Sequence, residues 1–274
     1  MGEYRIELQN LKYKVGKKCL LKNIDWKVRP KEHWIIFGLN GSGKTTLLSI
    51  IAGYKCQSEG EVKVFGETYC DENFLQNRKR IGLVSASLFD RYYTSESVLQ
   101  IILSGLIGTL GLDFTITDKD VKRAKELLKK VGLGQKIDQN YNSLSKGERE
   151  CVLIARALIG QPEILILDEP CSGLDVMARE RMLNTIEALA EQDDMTLIYV
   201  THYMEEILGC FENALFLKNG KIYKKGASSE LFTEKCMSDF LENNIKIRYN
   251  ERGRLSFFAQ NKQKIELYEG GETV

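Results

Sequence analysis

The sequence has few of the features that mark disordered, extracellular or zinc-binding proteins. It contains only 3 prolines, and 28% of its residues are charged, which argues against extended disorder. Its 7 cysteines are odd in number and scattered, and none forms a C-x-x-C pair. Neither a disulfide framework nor a zinc site is therefore predicted, and the thiols are expected to be reduced, as in the cytosol.

Membrane-spanning and secretory signals are also scarce. The first residues lack the basic start and apolar run of a signal peptide. The longest uncharged stretch, residues 97–112, is broken by glycines and is shorter than the roughly 18 apolar residues that a membrane span needs. We therefore expect a chain that does not cross a membrane and that lies in the cytoplasm.

The charge balance is close to neutral, with 39 Lys and Arg against 38 Asp and Glu. A protein whose main task is to coat nucleic acid needs a basic excess, so that class is disfavoured. The 274 residues suffice for one large domain or two small lobes with a substantial core.

Hydrophobic patterns predict an α/β fold interrupted by a helical segment. Strands are predicted within residues 6–28 and at 34–37, 62–66, 81–84, 164–167 and 197–200. Helices are predicted at 45–53 and 120–131, and hairpins at 214–223, turning on Asn219-Gly220, and at 245–257.

Residues 38–45 match the phosphate-binding pattern G-x-x-x-x-G-K-[ST] in full. The match lies between an apolar strand and a helix, where a glycine-rich turn lets backbone N–H groups point at a phosphate without obstruction from a Cβ. Lys44 is placed to reach the β- and γ-phosphates, and the Thr45 hydroxyl is placed to bind Mg²⁺. The sequence therefore predicts an ATP or GTP site.

A second strand ends in two acids, Asp168 and Glu169, after four apolar residues. Burial of charge is costly unless a metal or a proton transfer uses it. Asp168 is placed to hold the Mg²⁺ shell, and Glu169 is placed to polarise the attacking water as a general base.

Three further segments follow in a fixed order: residues 144–148 (LSKGE), residues 172–175 (SGLD) and Thr201-His202. Together with the phosphate loop and the paired acids, they resemble the nucleotide-binding domain of ATP-binding cassette (ABC) proteins. The resemblance covers residues 3–230 without a break. It implies a P-loop NTPase (RecA-like) core with an N-terminal antiparallel β subdomain and an inserted helical subdomain.

The resemblance also implies domain limits and site residues. The ATPase domain is expected over 1–226, with the helical subdomain at about 87–160 and a hairpin-bearing extension over 227–274. Two such domains close head to tail over two ATP molecules, so the signature segment of one (residues 144–148) completes the site of the other. The catalytic residues implied are Lys44, Glu169 and His202, and the metal ligands are Thr45 and Asp168. The nucleotide-binding residues implied are Tyr13 (with Tyr4 as the alternative aromatic), Gly38, Leu39, Asn40, Gly41, Ser42, Gly43, Lys44, Thr45, Thr46, Ser145, Gly147, Glu148 and Asp175.

The chain departs from the family pattern at two places. Ala86 stands where most members have a glutamine that senses Mg²⁺ and water, and Ser85 or Ser87 can partly replace it through a hydroxyl or a bridging water. In the signature, Lys146 replaces a glycine and Glu148 a glutamine, changes that the family tolerates. Residues 84–88 and 102–105 resemble stand-alone bacterial cassettes of the molybdate-transport type.

Two functions follow from the resemblance. The first is an ATPase subunit that energises a membrane transporter, acting as a homodimer or heterodimer with separately encoded membrane subunits at the inner face of the membrane. The alternative is a soluble cassette that acts on nucleic acid, ribosomes or cofactor assembly. The single cassette, without heptads or a C-x-x-C pair, favours the first, and no obligatory nucleic acid is expected. A third possibility is a regulatory cassette that binds ATP without hydrolysing it. That function would require Glu169 to take no part in catalysis, and nothing in the sequence indicates this.

Overall fold

The computed structural model describes residues 3–69, 74–89, 96–107, 116–191, 194–250 and 253–259. The strands of this part are β1 (Ile6–Val15), β2 (Lys18–Val28), β3 (Trp34–Phe37), β4 (Glu59–Val64), β5 (Glu67–Thr68), β6 (Ile81–Val84), β7 (Ile164–Asp168), β8 (Thr196–Thr201), β9 (Asn213–Lys218), β10 (Lys221–Ala227), β11 (Ile245–Tyr249) and β12 (Leu255–Ala259). Its helices are α1 (Lys44–Ile51), α2 (Phe74–Lys79), α3 (Ala86–Phe89), α4 (Val98–Ser104), α5 (Asp118–Lys130), α6 (Lys146–Leu158), α7 (Val176–Ala190), α8 (Ser228–Leu231) and α9 (Glu234–Leu241). Short 3₁₀ turns lie at Gly134–Lys136, Tyr141–Ser143 and Met204–Glu206.

The N-terminal strands form an antiparallel sheet in the order β2-β1-β4-β5. Ile6 and Leu8 alternate with more exposed residues along β1, so one face of the strand is buried against the rest of the domain. The antiparallel β subdomain predicted from the sequence is confirmed.

A six-stranded sheet with the order β10-β9-β3-β8-β7-β6 forms the centre of the fold. Strand β3 pairs in parallel with β8 and β9, and β7 pairs in parallel with β6 and β8. Every residue of β3, β6 and β8 is buried, as expected of parallel strands covered on both faces. The carboxyl ends of β3, β6, β7 and β8 consequently meet at one edge of the sheet, where all the predicted catalytic residues follow.

Helices α4, α5 and α6 pack on one another and form the helical part of the fold. Helix α5 begins at a capping box between Thr117 and Asp120, and Ala124 and Leu128 are buried on its inner face. In the uncharged stretch at 97–112, residues up to 107 are described, and Val98, Ile101 and Ile102 are buried within the protein. Residues 108–112 of that stretch lie outside the described residues.

The hairpin predicted at Asn219-Gly220 is confirmed as the β9–β10 turn. Both turn residues have positive φ, 53° and 75°, as this kind of two-residue turn requires. A Cβ on Gly220 would lie 2.2 Å from the Leu20 carbonyl oxygen. The Gly220 N–H donates to the Ser42 carbonyl at 2.9 Å, so this turn supports the phosphate loop from outside.

The second predicted hairpin is also confirmed, since β11 pairs with β12 from Ile245–Ala259 to Tyr249–Leu255. Leu255 is buried, and β12 packs on the turn Met204–Glu206. The Arg254 guanidinium contacts both carboxylate oxygens of Glu180 on α7, at 2.7 and 2.6 Å. The C-terminal hairpin therefore contacts the central domain at two places, the turn Met204–Glu206 and Glu180 on α7.

No helix among the described residues is both long enough and apolar enough to cross a bilayer.

Candidate functional site

The phosphate loop, residues 38–45, joins β3 to α1 as predicted. Gly41 and Gly43 have φ of 77° and 109°, a region that residues with a Cβ rarely adopt. At Gly38 an added Cβ would lie 2.5 Å from the carbonyl oxygen of Leu217. Gly43 occupies the N-cap of α1 without a capping side chain, so the first N–H groups of the helix are available to an anion.

Lys44 is folded back over the phosphate loop and is only 5% exposed. Its ammonium donates to the carbonyl oxygens of Gly38 and Leu39 at 2.7 and 3.3 Å. It also lies 3.1 Å from Oε1 of Glu169. The cation is thus held between the loop that is predicted to bind phosphate and the predicted general base.

Asp168 ends β7 beside two hydroxyl groups. Ser85 donates to its Oδ2 at 3.1 Å, and the Thr45 hydroxyl lies near the same carboxyl. Burial raises the pKa of the Asp168 carboxyl, against the lowering effect of the Ser85 and Thr45 hydroxyls. Its Oδ1 is buried with no hydrogen-bond partner among the described residues. An unsatisfied carboxylate oxygen next to the Thr45 hydroxyl is a hard-oxygen donor set that fits Mg²⁺.

Glu169 lies between Lys44 and His202. The Nδ1 of His202 is 3.2 Å from Glu169 Oε1, although the two are not aligned as a hydrogen bond. Glu169 has a φ of 52°, a left-handed conformation that is costly for a residue with a side chain. Its N–H donates to the Val200 carbonyl and its own carbonyl accepts from the Ser172 N–H, both at 3.0 Å. These bonds hold the main chain in that conformation, and the carboxylate faces the lysine and the histidine.

The signature segment starts helix α6. The Ser145 hydroxyl accepts from the Glu148 N–H at 3.4 Å, and Glu148 Oε2 accepts from the Ser145 N–H at 3.0 Å. An ion pair with Lys136 at 2.6 Å is the largest cause that lowers the pKa of the Glu148 carboxyl. Glu148 therefore holds the helix start, and its predicted contact with nucleotide stays a prediction.

Most of the predicted site residues line one of two adjoining cavities of the protomer. The first has a volume of about 630 Å³ and is lined by the phosphate loop and the acids. Its lining includes Asn40, Gly41, Gly43, Lys44, Thr45, Thr46, Asp168 and Glu169. The second has a volume of about 790 Å³, and its lining includes Ser145, Gly147, Glu148 and Asp175. The predicted residues that lie outside both linings are Tyr13, Gly38, Leu39, Ser42 and His202.

Tyr13 is half-buried on β1 opposite Leu21, and its ring lies 5.6 Å from the Lys55 ammonium. Leu21 in turn approaches the phosphate loop, because a Cβ on Gly43 would lie 2.9 Å from it. Tyr4, the alternative aromatic, has Lys27 and Arg29 over its ring. Of the two tyrosines, Tyr13 is therefore the one whose strand neighbour, Leu21, approaches the phosphate loop.

Lys146 has a position that the sequence does not reveal. It lines both cavities, and a Cβ on Gly173 would lie 2.7 Å from its ammonium. The sequence shows only that a lysine replaces a glycine in the signature. Its contact with the loop after the paired acids depends on tertiary structure, so no local pattern could have indicated it.

Comparison with known proteins identifies relatives of this chain. The family model described as ABC transporter matches residues 21–172. The uncharacterized ABC transporter ATP-binding protein YlmA of Bacillus subtilis is 41% identical over 251 residues, which cover 90% of this chain and 94% of YlmA. The ABC transporter ATP-binding protein ModF of Escherichia coli is 34% identical over 81% of this chain and 46% of its own length.

Among solved structures, the dimer of the ATP-binding cassette MJ0796 with ADP and Pi has a TM-score of 0.69 and 28% identity. The match covers 81% of this chain and 98% of that one. The fold, the order of the motifs and the shared sequence lead to one assignment: this chain belongs to the ABC transporter family, as its ATP-hydrolysing subunit.

Proposed function

We propose that this chain binds MgATP in the first cavity and hydrolyses it at the interface of two cassettes, with Glu169 as the general base. The observation that carries the proposal is the position of the Glu169 carboxylate, 3.1 Å from Lys44 Nζ and 3.2 Å from His202 Nδ1. A base at the end of a buried strand, beside the phosphate loop, is placed to accept a proton from a water that attacks the terminal phosphorus.

The binding step rests on the phosphate loop. The N-terminal N–H groups of α1 and the Lys44 ammonium hold the β- and γ-phosphates, and Lys44 exchanges its carbonyl contacts at 2.7 and 3.3 Å for phosphate oxygens. Thr45 and Asp168 would hold Mg²⁺, which supplies positive charge against the phosphate oxygens. Ser85 keeps the Asp168 carboxylate oriented through its hydrogen bond.

The hydrolytic step rests on Glu169 and His202. Glu169 takes the proton of the attacking water, and His202 orients that water and contacts the γ-phosphate. The left-handed backbone at Glu169 is held by two hydrogen bonds, so its carboxylate needs little rearrangement before reaction.

The second cavity supplies the other half of the site. Ser145, Gly147 and Asp175 line it, apart from the phosphate loop of their own protomer. In a head-to-tail dimer the Ser145 end of α6 faces the γ-phosphate bound by the partner, where a helix N-terminus favours an anion. The partner is a second copy of this chain or a related cassette, as in the MJ0796 dimer.

Coupling to transport follows from the family. We infer that separately encoded membrane subunits bind the cassette dimer and hold it at the inner face of the cell membrane. The test is co-purification from detergent-solubilised membranes, with the ATPase rate of the isolated chain and of the recovered complex compared. Recovery of a multi-span protein that changes the ATPase rate supports the coupling; a rate that no membrane fraction alters contradicts it.

Ala86 gives a prediction about the rate of turnover. Ala86 begins α3 and lines the first cavity, next to Ser85, which contacts Asp168. Ala86→Gln should raise kcat several-fold, because the longer amide can reach the region of Mg²⁺ and water that the Ala86 side chain cannot. The measurement is steady-state phosphate release at saturating MgATP.

Ala86→Leu is the matched control, since it adds similar bulk without an amide. An increase in both variants would assign the effect to packing. An unchanged rate in Ala86→Gln would show that the missing glutamine does not limit turnover.

A further inference from the structure

A buried hydrogen-bonded cluster lies behind His202. The carboxylate of Glu206 is 1% exposed, and its Oε2 accepts from two hydroxyls, Tyr199 at 2.8 Å and Thr201 at 2.5 Å. The Cys171 sulfur lies 3.6 Å from the Tyr199 hydroxyl. The cluster therefore joins the end of β8 to the loop that follows the paired acids.

The bonds of this cluster fall on both sides of His202. Thr201 precedes it and donates to Glu206, and the same Thr201 oxygen accepts from the Tyr203 N–H at 2.9 Å. The Tyr203 ring also lies 4.0 Å from the His202 ring, between centroids. The residues before and after the histidine are thus linked through one hydroxyl.

A buried carboxyl is costly, and burial raises the pKa of Glu206 against the lowering effect of the two hydroxyls. Among the described residues, no hydrogen bond joins Glu206 to Glu169 or to the phosphate loop. The link from Glu206 to the backbone around His202 runs through the Thr201 hydroxyl, which accepts from the Tyr203 N–H.

We propose that Glu206 is a positioning residue for ATP hydrolysis, which acts through Thr201 to hold His202 toward Glu169. This inference rests on the proposed function of His202. Removal of the Thr201 hydroxyl, or of the acceptor on Glu206, should release the turn and lower kcat while ATP affinity remains.

The chain offers a matched control on the same strand. Thr201 and Thr196 are the two ends of β8, both are 0% exposed, and both hydroxyls accept from a backbone N–H. The Thr196 hydroxyl accepts from the Lys31 N–H at 3.0 Å. Thr201→Val and Thr196→Val therefore both remove a bond to a backbone N–H, one beside His202 and one at the opposite end of the strand. Only Thr201→Val also removes the donation to Glu206.

The experiment measures single-turnover ATP hydrolysis, nucleotide affinity and melting temperature for both variants. We expect Thr201→Val to lower the melting temperature more than Thr196→Val, because it also removes the bond to the buried Glu206 carboxylate. Only Thr201→Val should lower the rate, by about tenfold. Thr201→Ser should recover most of the lost rate because it keeps the hydroxyl. Glu206→Gln should also retain the rate through its amide oxygen, and Glu206→Leu should reproduce the loss.

The same variants are then made in a His202→Ala background, which separates positioning from a general structural role. If Glu206 and Thr201 act through the histidine, Thr201→Val costs no further rate there. A second loss of about tenfold in that background would overturn the inference and leave the role of His202 intact. If His202→Ala alone keeps the wild-type rate, the proposed function of His202 fails, and the positioning role fails with it.

Discussion

Glu169→Gln is expected to bind ATP with nearly wild-type affinity, to hydrolyse it at least about 100-fold more slowly, and to accumulate as an ATP-bound dimer. Glutamine keeps the size and the acceptor oxygen of the side chain but cannot accept the proton of the attacking water. The phosphate contacts of Lys44 and the loop remain, so binding survives while the chemical barrier rises.

The measurement is light scattering after size exclusion, with and without MgATP, together with phosphate release. Glu187→Gln is the control, since Glu187 is an exposed carboxylate on α7 and its removal changes the net charge equally. A Glu169→Gln protein that binds ATP and stays monomeric would contradict the shared site. A variant that hydrolyses at the wild-type rate would remove Glu169 as the base.

Lys44→Ala is expected to lower ATP affinity by about 100-fold or more, with a matching loss of turnover. The wild-type ammonium is 5% exposed and is already held at the phosphate loop. Its loss removes the charged donor for phosphate and leaves the Glu169 carboxylate without the cation 3.1 Å away. Calorimetric titration with ATP measures the effect.

Lys125→Ala, an exposed lysine on α5, is the control for a general change of charge. Melting curves of both variants show whether the loss of affinity comes from unfolding. Affinity within about threefold of wild type in a folded Lys44→Ala protein would refute the assignment of the phosphate loop, because a buried charge-assisted bond is worth more than that.

The parts of the site that could be predicted from sequence are those whose chemistry is local. The phosphate loop is continuous in the chain, and its glycines are required by backbone angles at Gly41 and Gly43. Asp168 and Glu169 follow a short run of apolar residues that is typical of a buried strand, and the run forms β7. The Asn219-Gly220 turn is likewise set by its own two residues.

The rest depends on contacts between distant segments. Glu205 and Glu206 are neighbours of the same type, and only the turn Met204–Glu206 decides which of them is buried against Thr201. The sequence offers Ser85 or Ser87 as a partial substitute for the glutamine, but the bond of Ser85 to Asp168 requires β6 and β7 to be adjacent. Tyr13 is on the predicted strand, yet it does not line the first cavity, because strand register and side-chain rotamer set the position of its ring and no pattern specifies either.

The contacts of the C-terminal hairpin with the central domain affect how the protein should be truncated and tagged. Leu255 of the hairpin lines a groove together with Ile207, Phe211 and Phe232. A truncated protein that ends before residue 245 would expose the other three apolar side chains to water and would lose the Arg254–Glu180 ion pair. We expect this truncated protein to aggregate during purification, so affinity tags are better attached after residue 259.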